Sequence, residues 1–211
     1  MPLFHSLTID EDTRLAIWQI AEPQDFFIAQ LKLNETDYSV IRTITSDTRL
    51  TEFLASRYCV RLLAGIDEEL TLVKDEHGKP SVKGHPLHIS ISHCTGFAGA
   101  VISKKAHVGM DIEPIHGRVM RVVGRFLSET ELGYLTPTRE IDQATVMWSA
   151  KESVYKYYGQ KGLSFSRDIN LQKPPASDKG TFEVTAKTPN GEAQHVVHFE
   201  RLGGIMLTYV V

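Results

Sequence analysis

The sequence predicts an α+β protein of two similar lobes, each a small antiparallel sheet packed with a long helix, related by a pseudo-twofold axis. In each half of the 211-residue chain, one long segment has helical periodicity and several short segments alternate apolar with polar residues. We expect lobes over residues 1–103 and 104–211, with the active site at their interface. The 42% of hydrophobic residues suffices for one large core or two small ones.

Composition and charge exclude several classes of protein. The net charge of −3 argues against a strongly basic nucleic-acid-binding protein, although it allows a local basic site for a phosphorylated ligand. The two cysteines, Cys59 and Cys94, have no Cys-x-x-Cys spacing, so a disulfide framework is not expected. No segment approaches the roughly 20 apolar residues of a membrane span, and no secretory signal is visible. We therefore expect a cytoplasmic protein without a membrane or nucleic-acid partner.

Local signals place the elements of the first lobe. A long helix is expected to begin at Ser46 or Asp47, both suitable N-caps, and to end at Gly65. Arg57 and Arg61 share a face of this helix because they are four residues apart. A short helix is expected at 26–31, and strands at 13–20, 70–74, 87–92 and 97–103, with a turn at 75–80.

The second lobe has the same kinds of signal. Ser128 and Glu131 have the spacing of a capping box, and a long helix is expected over residues 143–158, ending at Gly159. Shorter helices are expected at 119–125 and 128–135, and strands at 107–113, 181–187, 195–199 and 205–211. Asn190-Gly191 predicts a hairpin turn.

The first candidate site is the strand around Asp111 and Glu113. Alternation sends both acids to one face, opposite the apolar residues and next to Gly109, which would let a ligand approach closely. Two adjacent carboxylates repel each other, and a divalent cation such as magnesium relieves that repulsion. The alternative is a solvated strand face with salt-bridged acids.

The second candidate site lies on the long helix of the second lobe. Trp148, Glu152 and Lys156 share one face, each one turn from the next. Glu152 would then be a third metal ligand or a general base, and Lys156 would neutralise a phosphate oxygen. The alternative is an i,i+4 surface pair worth a few tenths of a kcal/mol.

The third candidate site is the strand that carries Ser90, Ser92 and His93, whose polar groups can donate hydrogen bonds to phosphate oxygens. Several histidines and Cys94 lie nearby, but their spacing matches no familiar zinc motif. A structural role for His93, and a plain turn role for Lys79, are the alternatives.

The order and spacing of these motifs resemble the 4′-phosphopantetheinyl transferase superfamily, in particular its longer, monomeric, pseudo-dimeric branch that includes the surfactin-synthetase activator. The matching motifs run from about residue 57 to 164. They are Gly78-Lys79-Pro80, Ile91-Ser92-His93, Gly109-Met110-Asp111-Ile112-Glu113, Arg125-Phe126-Leu127-Ser128-Glu129-Thr130-Glu131, Trp148-Ser149-Ala150-Lys151-Glu152-Ser153 with Lys156, and Gly162-Leu163-Ser164.

The resemblance implies an enzyme that transfers 4′-phosphopantetheine from coenzyme A to a serine of an apo acyl or peptidyl carrier protein and releases 3′,5′-ADP. Such a reaction serves fatty-acid, polyketide or nonribosomal peptide biosynthesis, and the sequence does not decide among these acceptors. The implied metal is Mg²⁺, or Mn²⁺, bound by Asp111, Glu113 and Glu152. The implied catalytic residues are Glu152, Lys156 and Asp111. The implied coenzyme A contacts are Lys79, Ser92, His93, Arg57, Arg61 and Lys156, with His93 at the 3′-phosphate and Lys156 at the diphosphate.

Several details stay open. Either Glu152 or a metal-bound water takes the serine proton. Cys94 stands where the superfamily has a serine, and the only upstream basic candidates for the 3′-phosphate are Lys32 and Arg42. A carrier-docking groove is expected near Arg118, Arg121 and Arg125, with a solvated helix face as the alternative.

Three other functions compete with the transferase. One is an inactive relative that binds coenzyme A or a carrier without transfer, and another is an unrelated magnesium-dependent phosphohydrolase. The third is a structural interaction protein. The intact carboxylates and Lys156 argue against the inactive relative.

Overall fold

A computed structural model describes residues 3–67 and 69–211, so that Met1, Pro2 and Glu68 lie outside the described residues. One compact unit ends at Val108 and a second spans Gly109–Val211. The sequence placed the division slightly earlier, after residue 103. No helix in the described part of the chain is long and apolar enough to cross a lipid bilayer.

The first unit is a six-stranded antiparallel sheet with three helices. Its strands follow the spatial order β1-β2-β6-β5-β4-β3. They are β1 (Leu3–Thr8), β2 (Thr13–Gln19), β3 (Leu72–Lys74), β4 (Pro80–Val82), β5 (His88–Cys94) and β6 (Phe97–Ser103). The helices are α1 (Gln24–Leu31), α2 (Glu35–Ile41) and α3 (Asp47–Ala64).

Helix α3 organises the core of this unit. The Ser46 side chain accepts a hydrogen bond from the backbone of Arg49 and caps the helix, and Gly65 ends it in the left-handed conformation. The helix packs across β6, β5 and β2. Leu54, Cys59 and Val60 are buried there among apolar residues of the sheet.

The second unit is a five-stranded antiparallel sheet with one long helix and three short helical segments. The strand order is β7-β11-β10-β9-β8. The strands are β7 (Gly109–Pro114), β8 (Ile169–Leu171), β9 (Lys179–Thr188), β10 (Gly191–Leu202) and β11 (Ile205–Val210). The helical segments are a 3₁₀ helix (Gly117–Arg121), α4 (Val123–Phe126), α5 (Glu129–Leu132) and α6 (Glu140–Tyr158).

Helix α6 lies on β7 and β11 and covers the core of the second unit. Met147, Ala150 and Val154 are fully buried against apolar residues of the sheet. Gly159 ends the helix in the left-handed conformation, as the sequence predicted.

The predicted α+β class is confirmed, because each unit is an antiparallel sheet packed with one long helix. The prediction of one helix over 119–125 is wrong: a 3₁₀ helix ends at Arg121 and a one-turn helix begins at Val123. The sequence also missed β1, α2, β4 and β8. Strands β4 and β8 have only three residues each, too few for a periodic signal.

Candidate active site

Strand β7 turns two acids toward helix α6. Gly109, Asp111 and Glu113 occupy alternate positions on the strand and therefore share one face. Asp111 is only 2% exposed and Glu113 is partly exposed. A solvated strand face is thus wrong for Asp111, whose carboxylate lies inside the unit.

Gly109 makes room for the helix rather than for a ligand, which corrects the interpretation of this glycine. A Cβ atom at Gly109 would lie 2.0 Å from the carbonyl oxygen of Ser153 and 2.7 Å from the backbone nitrogen of Tyr157. A side chain of any size would therefore push α6 off the strand. Close packing brings the α6 side chains within reach of the β7 acids.

Two hydrogen bonds join the acids to α6. The Nζ atom of Lys156 donates to Oδ1 of Asp111 at 2.7 Å. The indole Nε1 of Trp148 donates to Oε1 of Glu113 at 2.8 Å. Trp148 and Lys156 are two turns apart with Glu152 between them, so the predicted helix face is the one that meets β7.

The environment raises the pKa of two of the three carboxylic acids. Burial, and then the charge of Asp111, raise the pKa of Glu113 to about 7. The same two causes, in the same order, raise the pKa of Glu152 to about 7. Three carboxyl groups thus lie close enough to repel one another in a place that water screens poorly.

The donor set suits a hard divalent cation, but its side chains are not gathered around one point. Within residues 3–67 and 69–211, no group of three or more His, Cys, Asp or Glu side chains is arranged to hold a metal ion. Asp111 and Glu113 are bonded to Lys156 and Trp148 instead. Oxygen ligands that repel one another are nevertheless the chemistry that Mg²⁺ relieves. The residue types of the predicted ligand set therefore suit Mg²⁺, and metal binding by these residues stays a prediction.

The first unit contains a cavity of about 410 Å³ at the N-terminal end of α3. Its lining combines hydroxyls, an aromatic ring and two basic side chains. The lining residues are Thr43, Ile44, Thr45, Ser46, Arg49, Phe53 and His93. This combination suits a ligand with both an anionic group and a planar ring.

His93 is the predicted site residue that lines this cavity. It lies on β5 opposite Ala98 of β6, and its side chain is 41% exposed. The Nδ1 atom of His93 lies 3.0 Å from Oε2 of Glu52, a residue of α3. The sequence alone did not single out Glu52, because the two residues are far apart in the chain.

Comparison with known proteins identifies the second unit. Residues 107–210 match the 4′-phosphopantetheinyl transferase superfamily. This half of the chain is therefore similar to that superfamily. Over 117 residues the chain is 32% identical to the 4′-phosphopantetheinyl transferase gsp of Aneurinibacillus migulanus. That match covers 54% of this chain and 48% of the relative, so the chain spans about half the length of the curated relative.

Within the superfamily segment, Lys151 has a structural task that sequence reasoning missed. Its ammonium is fully buried and donates to Oε2 of Glu131 at 2.8 Å, and to the carbonyl oxygens of Phe165 and Ile169, each at 2.6 Å. Glu131 in turn accepts from the backbone of Ser128 and Leu171. Lys151 thus ties α6 to α5 and β8, one residue before Glu152.

The three arginines proposed for carrier docking are solvent-exposed in the superfamily segment. Arg125 also lines a cavity of about 430 Å³. The rest of that cavity is apolar and is lined by Val122, Phe126, Trp148 and Phe165. Trp148 therefore contacts both the cavity and, through Glu113, the group of carboxylates.

Two other predicted coenzyme A contacts lie outside the cavity of the first unit. Nζ of Lys79 is 3.3 Å from Nδ1 of His107, and burial lowers the pKa of Lys79. Ser92 is buried within β5, opposite Gly99 of β6. Neither residue lines the cavity that contains His93.

The predicted arginine contacts have other partners. The guanidinium of Arg57 is buried, lies 3.3 Å from the ring centroid of Phe53 and is 3.9 Å from Asp37. Burial lowers the pKa of Arg57 to about 10. Arg61 donates to the carbonyl oxygen of Asp67 at 2.6 Å. The arginine that lines the cavity is Arg49, and its four-residue spacing from Phe53 was the signal that could have identified it.

Proposed function

We propose that the protein transfers the 4′-phosphopantetheine group of coenzyme A to a serine of an apo acyl or peptidyl carrier protein and releases 3′,5′-ADP. One observation carries the proposal: three carboxyl groups and Lys156 lie together between β7 and α6. They do so inside the segment that matches the 4′-phosphopantetheinyl transferase superfamily.

Asp111, Glu113 and Glu152 are the residues that would hold the proposed divalent cation, Mg²⁺ or Mn²⁺. Burial, and then repulsion from Asp111, raise the pKa of Glu113 and Glu152, which supports this assignment because a cation offsets the repulsion. When bound, the metal supplies charge neutralisation at the diphosphate oxygens of coenzyme A.

Glu152 and Lys156 would carry the proton and the charge of the reaction. The serine Oγ forms a bond to the β-phosphorus of coenzyme A, and the bond from that phosphorus to the oxygen of 3′,5′-ADP breaks. The hydroxyl proton passes to Glu152, which acts as the general base. Lys156 exchanges Asp111 for an oxygen of the diphosphate and stabilises the leaving group.

The cavity of the first unit would accept the nucleotide end of coenzyme A. His93 and Arg49 supply two donors for a phosphate, and the ring of Phe53 offers an apolar face for a base. Lys79 and Ser92 remain proposed contacts for the same ligand. Arg57 would act indirectly, because its guanidinium holds the ring of Phe53.

The carrier would dock on the second unit near Arg118, Arg121 and Arg125. The surface of a carrier is acidic around its serine, so exposed arginines complement it. The apolar cavity next to Arg125 would accept an apolar side chain of the carrier.

Mass spectrometry of a panel of apo carrier proteins tests the proposal. With coenzyme A and a divalent cation, an acceptor should gain one phosphopantetheinyl group, about 340 Da, and the gain should disappear when the cation is chelated. Glu152→Gln should slow transfer at least about a hundredfold. Glu140→Gln, an exposed change on the same helix, should leave the rate unchanged. No mass gain across the panel would refute the proposed transfer, and breakdown of coenzyme A without an acceptor would favour a hydrolase.

A further inference from the structure

We infer that Glu52 is a positioning residue for His93, which it holds so that the second ring nitrogen can donate to a phosphate oxygen in the cavity. The inference deepens the proposed function and rests on it, since the phosphate concerned is the 3′-phosphate of coenzyme A. The burial of Glu52, its 3.0 Å distance from His93 and the lining of the cavity support it.

Glu52 contacts a residue of the cavity wall without lining the cavity itself. It is 7% exposed and sits on α3 between Arg49 and Phe53, which both line the cavity, whereas Glu52 does not. A carboxylate with so little access to water is costly unless it is paired. Its Oε2 atom lies 3.0 Å from Nδ1 of His93. The imidazole ring is therefore fixed from behind by a buried acceptor.

This contact decides which nitrogen of His93 carries a proton. A carboxylate accepts hydrogen bonds only, so Nδ1 must carry the proton that points at Glu52. A phosphate oxygen also accepts only, so binding at Nε2 requires a second proton on the ring. Glu52 and the bound phosphate would thus enclose a doubly protonated imidazolium, with one anion at each nitrogen.

The acid beside His93 favours a protonated ring, and the cation in the cavity wall would share the phosphate with it. From α3, the titratable side chains at this site are Glu52, behind the ring, and Arg49, in the cavity wall. The remaining lining residues supply hydroxyls and apolar groups. Because Glu52 contacts His93 but does not line the cavity, the carboxylate can support the ring without occupying the position of the phosphate.

Isothermal titration calorimetry with coenzyme A and dephospho-coenzyme A tests the functional half of the inference. Glu52→Met, which removes the acceptor, should weaken binding of coenzyme A about tenfold or more and change binding of the dephospho form less than about twofold. Glu52→Gln keeps an acceptor oxygen and should lose less. In a His93→Ala background, Glu52→Met should have no further effect on the ratio of the two affinities. Glu35→Gln, an exposed change in the same unit, is the matched control.

Nitrogen-15 NMR of the His93 ring tests the geometric half without any ligand. The free wild type should carry a proton on Nδ1, Glu52→Gln should retain it, and Glu52→Met should give a mixture of tautomers. Bound coenzyme A should protonate both ring nitrogens in the wild type.

The outcomes separate the two proposals. If the wild type binds no coenzyme A, the proposed function fails, and the NMR experiment alone decides whether Glu52 positions the ring. A wild-type ring with its proton on Nε2 alone overturns the inference. So does an equal loss of affinity for both ligands in a folded Glu52→Met variant, because a merely structural residue would not distinguish them.

Discussion

Replacing Lys151 by methionine should destabilise the second unit strongly, because its ammonium has three partners in a buried place. The partners are Oε2 of Glu131 and the carbonyl oxygens of Phe165 and Ile169, all within 2.8 Å. Methionine is unbranched and of similar length, so it fills the space of the lysine stem without forming any of these bonds.

The expected loss follows from the partners left behind. Removing one member of a buried ion pair costs about 3–5 kcal/mol. Glu131 keeps two backbone donors, at 2.7 Å from Ser128 and 2.8 Å from Leu171, which favours the lower end of that range. Each abandoned carbonyl adds about 0.5–1.5 kcal/mol. We expect Lys151→Met to lower the free energy of unfolding by about 4 kcal/mol, a large share of the roughly 5–15 kcal/mol of a typical domain.

Urea unfolding of Lys151→Met, Glu131→Gln and the double variant measures this coupling. The double variant should be more stable than the sum of the two single losses predicts. Each single change leaves one buried charge without its partner, whereas the double variant removes both charges. Lys173→Met, at an exposed position, should change stability by less than about 0.5 kcal/mol. A loss below about 1 kcal/mol for Lys151→Met, or strictly additive losses, would show that the buried pair contributes little.

Three further predictions concern β7 and α6. Gly109→Ala should cost about 1–3 kcal/mol in thermal unfolding, whereas Gly204→Ala, with no atom within 4 Å of the added carbon, should be tolerated; equal effects would contradict the packing argument. The free energy of unfolding of the metal-free protein should fall as pH rises from about 4.5 to 7, because the raised pKa values let folded Glu113 and Glu152 bind more protons than they bind in the unfolded chain. Replacing either residue by glutamine should reduce this dependence of the unfolding free energy on pH. Lys156→Ala should slow transfer about a hundredfold. A near-normal rate would show that Lys156 only forms a surface pair and does not stabilise the leaving group.

Local signals predicted the long helices well. Ser46 and Gly65 bound α3, and Gly159 ends α6, because caps act within one turn of the chain. Strand β8 was missed because three residues form a strand only when β9 is there to pair with them. The same holds for β4 between β3 and β5.

In the candidate site, too, local patterns predicted some features, whereas tertiary contacts determine the others. Helical and strand periodicity were enough to predict that Glu152 and Lys156 share a face and that Asp111 and Glu113 share another. The contact between Glu52 and His93 depends on how α3 crosses β5, which no local pattern contains. The buried position of Arg57 is likewise a tertiary result, since its helical spacing suits a surface arginine equally well.

The packing of β7 against α6 requires the spacing of residues along the strand to match the spacing of turns along the helix. Asp111 and Glu113, about 6.7 Å apart along the strand, meet Lys156 and Trp148, which are two helical turns apart with Glu152 between them. A substitution keeps the register of β7 against α6. An insertion of one residue in β7 before Asp111 would instead turn both acids away from the helix together. Lys156 and Trp148 would then lose their partners in a single step. Length variation within β7 is therefore far less tolerable than variation of its side chains, and homologues that keep this chemistry should differ in length at the loops on either side of it.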